Sequence, residues 1–307
     1  MKSFIIRFFE RTEVMLALSI ILPLLFAVDV SGLKVGIELG LGVVMYFSMR
    51  PFMGQKFHFQ KNLKAMVSLI LVNYVLLSGV YVLLGLVFFG VSHDFFTGFI
   101  LIALVPPAVS IIPFCYLSKC DSETADVPVF ISFVLSLFII PVTLFLLFGK
   151  TVDFQALARI LVIIILVPMY LAYRTYRSDS RLFDYEKALT NICLGIVIFI
   201  SMSINRGVFF DFAADGVLYV YLVSFLAIFG TGLAVYFISR RLAPGSAVAY
   251  SFYASQKNVG TAITLGIFLF NPDTAVPAII ALAMQFIYFI LFEELFVKRR
   301  TEHKQKN

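Results

Sequence analysis

Ser255-Gln256-Lys257-Asn258-Val259-Gly260-Thr261 lies in the middle of the otherwise apolar run 246–270. That run is long enough to cross a bilayer, which takes about 20 apolar residues. A lysine at the centre of such a run costs about 2.5–3.5 kcal/mol on insertion scales, so it turns to an interior or a wet cavity and takes a partner. Gly260 weakens the helix around it. The run 95–118 is interrupted too, by Val105-Pro106-Pro107-Ala108 and then Pro113. Proline has no N–H and clashes with the preceding turn, so this helix is also expected to break. Pro106, Pro107, Pro113 and Gly260 are the expected break residues.

The rest of the chain explains why both runs are membrane spans. Of 307 residues, 61% are apolar and 14% charged, against about 45–50% and about 25% in ordinary soluble domains. Mean hydropathy is +0.98. A soluble fold of this size cannot hide so much apolar surface, so soluble enzymes and nucleic-acid-binding modules are excluded. Ten spans are expected, at 13–31, 34–53, 64–90, 95–118, 124–149, 154–175, 186–206, 216–239, 246–270 and 274–297. With the N-terminus in the cytoplasm, the non-cytoplasmic side holds only Lys34, Lys150, Arg159 and Arg206 of the 24 basic residues, and Lys257 lies within a span. This is a strong positive-inside bias, and it places both termini in the cytoplasm. The opening Phe4-Ile5-Ile6-Arg7-Phe8-Phe9 reads as an interfacial helix. Short loops and the lack of a targeting segment point to a multi-pass protein of a bacterial inner membrane.

The loop near Lys150 divides the chain into halves, 1–150 and 151–307, of five spans each. Five is odd, so the second half enters from the opposite face. The expected fold is all-α and polytopic, with inverted five-helix repeats and two discontinuous helices. Secondary transporters commonly follow this plan, with the site at mid-membrane on the broken helices. The interrupted spans are the fourth of each half, which makes their polar residues the site. Lys257 leads, followed by Asn258, Gln256, Ser255, Thr261, Asn73, Ser110 and Asp126. Asp126 and Glu38 are the carboxylates weighed as partners for Lys257. Free N–H groups after the fourth-span break suit a carboxylate ligand.

The two interrupted stretches also resemble a known family. Val105-Pro106-Pro107 through Cys115-Tyr116-Leu117, then Asp126 and Ile140-Pro141, is similar to the fourth and fifth spans of the bile acid:sodium symporter family. Tyr253 to Gly260, Phe270-Asn271-Pro272 and Ala275-Val276-Pro277 are similar to its ninth and tenth spans. The resemblance implies ten helices in a core of spans three to five and eight to ten, and a panel of spans one, two, six and seven. It also implies that the two broken helices cross. Implied substrates are small organic anions, usually driven by sodium. Where the family supplies sodium ligands, this chain has Ile111, Ile112, Ala125, Val129 and Tyr253. Asn73 and Lys257 stand where the family has glutamines. The resemblance therefore implies that the usual sodium sites are missing.

Lys257 has two functional roles open to it: a fixed cation where sodium charge would otherwise sit, or a group that exchanges its proton or an Asp126 salt bridge during the cycle and so couples transport to protons. A static ion pair is the structural alternative. The expected function is alternating-access transport of small organic anions, with proton coupling left open. A cation/proton antiporter of similar architecture is the other reading. A channel fits less well, because polarity gathers at the two breaks rather than through the membrane depth. An enzyme is not expected: His58, His93 and His303 lie in loops or tails, and there is no HExxH or nucleophile turn. Cys115, Cys120 and Cys193 form no CxxC pair, so neither a disulfide framework nor a metal site is indicated. No cofactor is expected.

Overall fold

The computed structural model describes residues 4–33, 35–50, 53, 63–118, 122–149, 152–178, 181–204, 206–207 and 216–298. Among these the secondary structure is helical, apart from one isolated antiparallel bridge between Pro107 and Lys257. The helices are α1 (Phe4–Phe9), α2 (Thr12–Leu25), α3 (Val35–Met49), α4 (Leu63–Phe89), α5 (Asp94–Leu104), α6 (Ile111–Leu117), α7 (Ser122–Phe148), α8 (Phe154–Thr175), α9 (Glu186–Ile204), α10 (Val217–Leu242), α11 (Ala247–Tyr253), α12 (Val259–Leu269) and α13 (Pro272–Phe292). The last continues as a π-helical stretch, Glu293–Lys298.

Among the described residues, six helical stretches are long and apolar enough to cross a membrane: Leu63–Phe89, Val127–Phe148, Phe154–Thr175, Phe183–Ile204, Val217–Leu242 and Pro272–Val297. The protein is thus an all-helical, polytopic membrane protein. The expected spans 13–31 and 34–53 are shorter as helices. Arg206 donates from Nε and Nη2 to the Pro23 and Leu24 carbonyls, 3.1 and 3.2 Å, and so caps the end of α2. α3 stops just ahead of Arg50-Pro51, because the residue before a proline resists the α conformation. Each of the two interrupted runs is a pair of helices, α5 with α6 and α11 with α12. Other ends follow local chemistry. Asp153 Oδ1 accepts from the Gln155 and Ala156 amides, and Asn271 Oδ1 from the Thr274 amide just before α13. Both satisfy amides that a helix start leaves free.

The chain packs as two compact units, and each takes segments from both sequence halves. One gathers described residues within 1–56, 141–217 and 260–279; the other those within 57–140, 218–259 and 280–307.

In the first unit, α3 lies close against α9. A Cβ on Gly40 would meet Val197 Cγ2 at 2.6 Å, and one on Gly36 would meet Ile200 Cδ1 at 3.1 Å. Small residues let membrane helices approach this closely. Arg50 ties three segments together. Nε donates to the Thr175 carbonyl, Nη2 to the Ser178 carbonyl, Nη1 lies 3.5 Å from Glu186 Oε2, and the guanidinium covers the Phe183 ring at 3.3 Å. α1 is held to α9 by Asn191 Nδ2, which donates to the Phe9 carbonyl. Glu38 is buried in this unit, with Arg159 Nη2 at 3.5 Å from its Oε1.

In the second unit, α5 is buried along its length. Gly85 of α4 admits Phe99, and Tyr81 stacks on the same ring. A Cβ on Gly232 would meet the Tyr288 hydroxyl at 2.5 Å and Ser255 Cβ at 3.1 Å, so α10, α11 and α13 approach closely there. Phe114 of α6 stacks on Phe289 of α13, with centroids 3.6 Å apart.

Candidate functional site

The two breaks meet in the second unit. α5 ends with the Val105 amide bonded to the Leu101 carbonyl, 3.3 Å. In a continued helix the Ala103 carbonyl would accept from residue 107, but Pro107 has no N–H. The orphaned carbonyl instead accepts from Ser78 Oγ at 2.7 Å and from Lys257 Nζ at 3.0 Å. Lys257 Nζ also donates to the Val105 carbonyl at 2.9 Å and lies 4.5 Å from the centroid of the Tyr74 ring. Lys257 is 1% exposed. Its Nζ therefore sits on carbonyls released by the other break, with an aromatic face beside it, partners of the kind a cation takes.

The second break, 254–258, is held just as fully. Asn73 Nδ2 donates to the Tyr253 and Gln256 carbonyls, 2.8 and 3.0 Å. Thr231 Oγ1 bonds the Ala227 and Ala254 carbonyls. The Asn258 amide donates to the Pro106 carbonyl at 2.8 Å, and the Ala108 amide to the Gln256 carbonyl at 3.4 Å. These last two bonds make the Pro107–Lys257 bridge. Irregular backbone at membrane depth survives only when its polar groups are satisfied in this way.

The helices that supply these side chains carry π-helical stretches at matching depths: Val72–Leu77 in α4, which begins at Leu63, and Leu226–Gly230 in α10, which begins at Val217. Asn73 lies within the first stretch, Ser78 and Thr231 directly after the two. π-bulges widen a helix and free backbone groups, and they recur at functional sites.

Most expected site residues assemble here. Lys257, Gln256, Asn73, Pro106 and Pro107 are joined by the bonds above, as is Asn258 through its backbone. Ser255 is buried and returns its hydroxyl to the Ser251 carbonyl, 2.8 Å, a local helical bond. Ser110 accepts the Phe114 amide at the start of α6. Thr261 lies in the first turn of α12, buried, and its hydroxyl has no hydrogen-bond partner among the described residues. The side chain of Asp126 lies outside the described residues; its backbone is in the first turns of α7. Glu38, the second carboxylate weighed for Lys257, has Arg159 as its ion partner. Two expected break residues lie elsewhere. Pro113 falls in the first turn of α6, where a missing N–H costs nothing, and Gly260 lies within α12, where its carbonyl accepts from Thr264 Oγ1.

Three residues gain importance only here: Ser78, Thr231 and Gln285. A lone amide or hydroxyl in an apolar helix is the signal each one carried. Among the described residues no three His, Cys, Asp or Glu gather to hold a metal ion.

A family model, the Sodium Bile acid symporter family, matches residues 38–212, more than half of the 307. The chain belongs to the sodium bile acid symporter family. That family comprises membrane transporters rather than enzymes. The match takes in the first break, with Asn73, Ser78, Pro106 and Pro107, and ends before Lys257. A comparison with curated proteins gives no match. For this sodium bile acid symporter family member, the second half of the site therefore rests on the geometry of 254–258 and its neighbours.

Proposed function

We propose that this protein is a secondary active transporter of small organic anions, working by alternating access without the usual sodium sites. The observation that carries the reading is Lys257 Nζ, 3.0 and 2.9 Å from the carbonyls of Ala103 and Val105. A proline-broken helix offers such oxygens to a cation, and here the chain provides its own. Sodium needs several hard oxygen ligands. The positions that supply them by family resemblance carry Ile111, Ile112, Ala125, Val129 and Tyr253, and the isoleucine, alanine and valine side chains offer no oxygen at all. Lys257 acts as a tethered cation whose charge offsets that of an anionic substrate at the crossing breaks.

The ten-span inverted repeat belongs to the same proposal. Interrupted runs at matching places, and π-helical stretches at matching depths in α4 and α10, support two five-helix repeats, 1–150 and 151–307, with both termini in the cytoplasm of a bacterial inner membrane. The deciding experiment uses purified protein in proteoliposomes with radiolabelled taurocholate and pantothenate. Uptake should persist when sodium is replaced by N-methyl-glucamine and collapse in Lys257→Ala. Strict sodium dependence contradicts the proposal. Failure of both anions, alongside pH-driven cation exchange, favours the cation/proton antiporter.

A further inference from the structure

We infer that Gln285 is a positioning residue for Lys257, acting as a substitute strand edge against its peptide; the importance of this rests on the transporter reading above. Gln285 lies on α13 and is 3% exposed. One orientation of its amide suits both neighbours. In it the side-chain oxygen accepts from the Lys257 amide at 3.1 Å and the side-chain nitrogen donates to the Lys257 carbonyl at 3.1 Å. The main-chain carbonyl of Gln285 accepts from Gln256 Nε2 at 3.1 Å. A planar donor and acceptor facing one residue's N–H and C=O reproduce the pairing of two strands. On its other side the same residue is bridged to Pro107. Lys257 is thus held between a true extended segment and an imitation of one.

The consequence concerns the ammonium. The side chain of Lys257 leaves a peptide that no helix orients, so its reach to Ala103 and Val105 depends on what fixes that peptide. The Gln285 amide satisfies the peptide's N–H and adds a second donor to its carbonyl, which also accepts from the Val259 amide at 2.8 Å. Leucine or methionine at 285 removes both bonds and leaves a buried N–H unpaired. A neutral carboxylic acid preserves the pattern, since it offers one O–H and one C=O, whereas a carboxylate only accepts.

Site-resolved reductive methylation of the full chain in detergent, using formaldehyde and cyanoborohydride, tests this without any substrate. Lys64, which is exposed, is the internal reference. Native Lys257 should be labelled at least tenfold more slowly than Lys64. Gln285→Leu and Gln285→Met should raise its relative rate at least tenfold with a cooperative melting transition retained. Gln285→Glu should stay protected at the acid end of a pH 5–9 series and lose protection as the new carboxyl ionises. Each value is compared with native protein at the same pH, so that any effect of pH on the native site, which carries Lys257, Tyr74 and Tyr81 on α4, Tyr250 and Tyr253 on α11 and Tyr288 on α13, is subtracted. Native-like protection in the Leu and Met variants overturns the inference. So does a Glu variant unprotected at every pH. If the labelling behaves as stated but native protein moves neither taurocholate nor pantothenate, the transporter reading falls and the positioning role stands.

Discussion

Lys257 shows how one side chain can close two accounts at once. Its ammonium needs oxygen partners because it is buried, and the Ala103 carbonyl needs a donor because residue 107 is proline. Each defect answers the other. Truncation therefore does more than remove a charge. It leaves carbonyls buried without this donor, at about 1–3 kcal/mol for each one left unsatisfied. Lys257→Met should thus lower the melting temperature of the purified protein as well as abolish anion uptake. Lys257→Arg should not rescue uptake, because a planar five-donor fork cannot replace a compact ammonium between two carbonyls. Full uptake by the Arg variant in proteoliposomes would mean that charge alone matters at this point.

The broken helices follow from similarly local causes. Pro106 and Pro107 stop α5, while the second break contains no proline and is held open by Asn73, Thr231 and Gln285. Restoring an N–H at 107 should shift that balance. Replacing both prolines, Pro106→Ala with Pro107→Ala, lets α5 extend and offers Ala103 an internal donor that competes with Ser78 and Lys257. Uptake should fall at least tenfold. In hydrogen exchange the peptide covering 105–110 should become more protected, and unchanged exchange there would show that proline is not what keeps the break open. Close approach between helices has its own test. Gly232→Leu drives a side chain into the Tyr288 hydroxyl, and overpacking of this kind costs about 1–3 kcal/mol. Gly79→Ala, with open space around it, should leave the melting temperature nearly unchanged.

For the molecule as a membrane-embedded whole, the charge bias makes a prediction about sidedness. In a background with Cys115, Cys120 and Cys193 replaced by serine, Asp153→Cys should react with an impermeant maleimide from outside the cell. Ser178→Cys should react only after the membrane is opened. Reaction of both from the same side would break the ten-span alternation on which the inverted repeat depends. The packing into two units adds something that the order of spans did not convey. Neither unit is a sequence half; each is assembled from pieces of both.

Composition and hydropathy were enough to make this an all-helical membrane protein, because burial in lipid imposes a coarse and additive requirement on every span. Proline placement was enough to locate the first break, since a missing N–H is a property of the residue itself. The second break could be sensed from its crowd of polar groups, but its limits could not: Gly260 looks like a breaker and yet sits in the first turn of α12, as Pro113, beyond the first break, sits in that of α6. Pairing was illegible. A buried lysine needs partners, and a sequence does not reveal that carbonyls released far along the chain will accept from it. Gln285 was invisible for the same reason. Its amide matters only because the fold lays it along the peptide of Lys257, and such long-range hydrogen bonds are set by where helices pack, which no local pattern encodes.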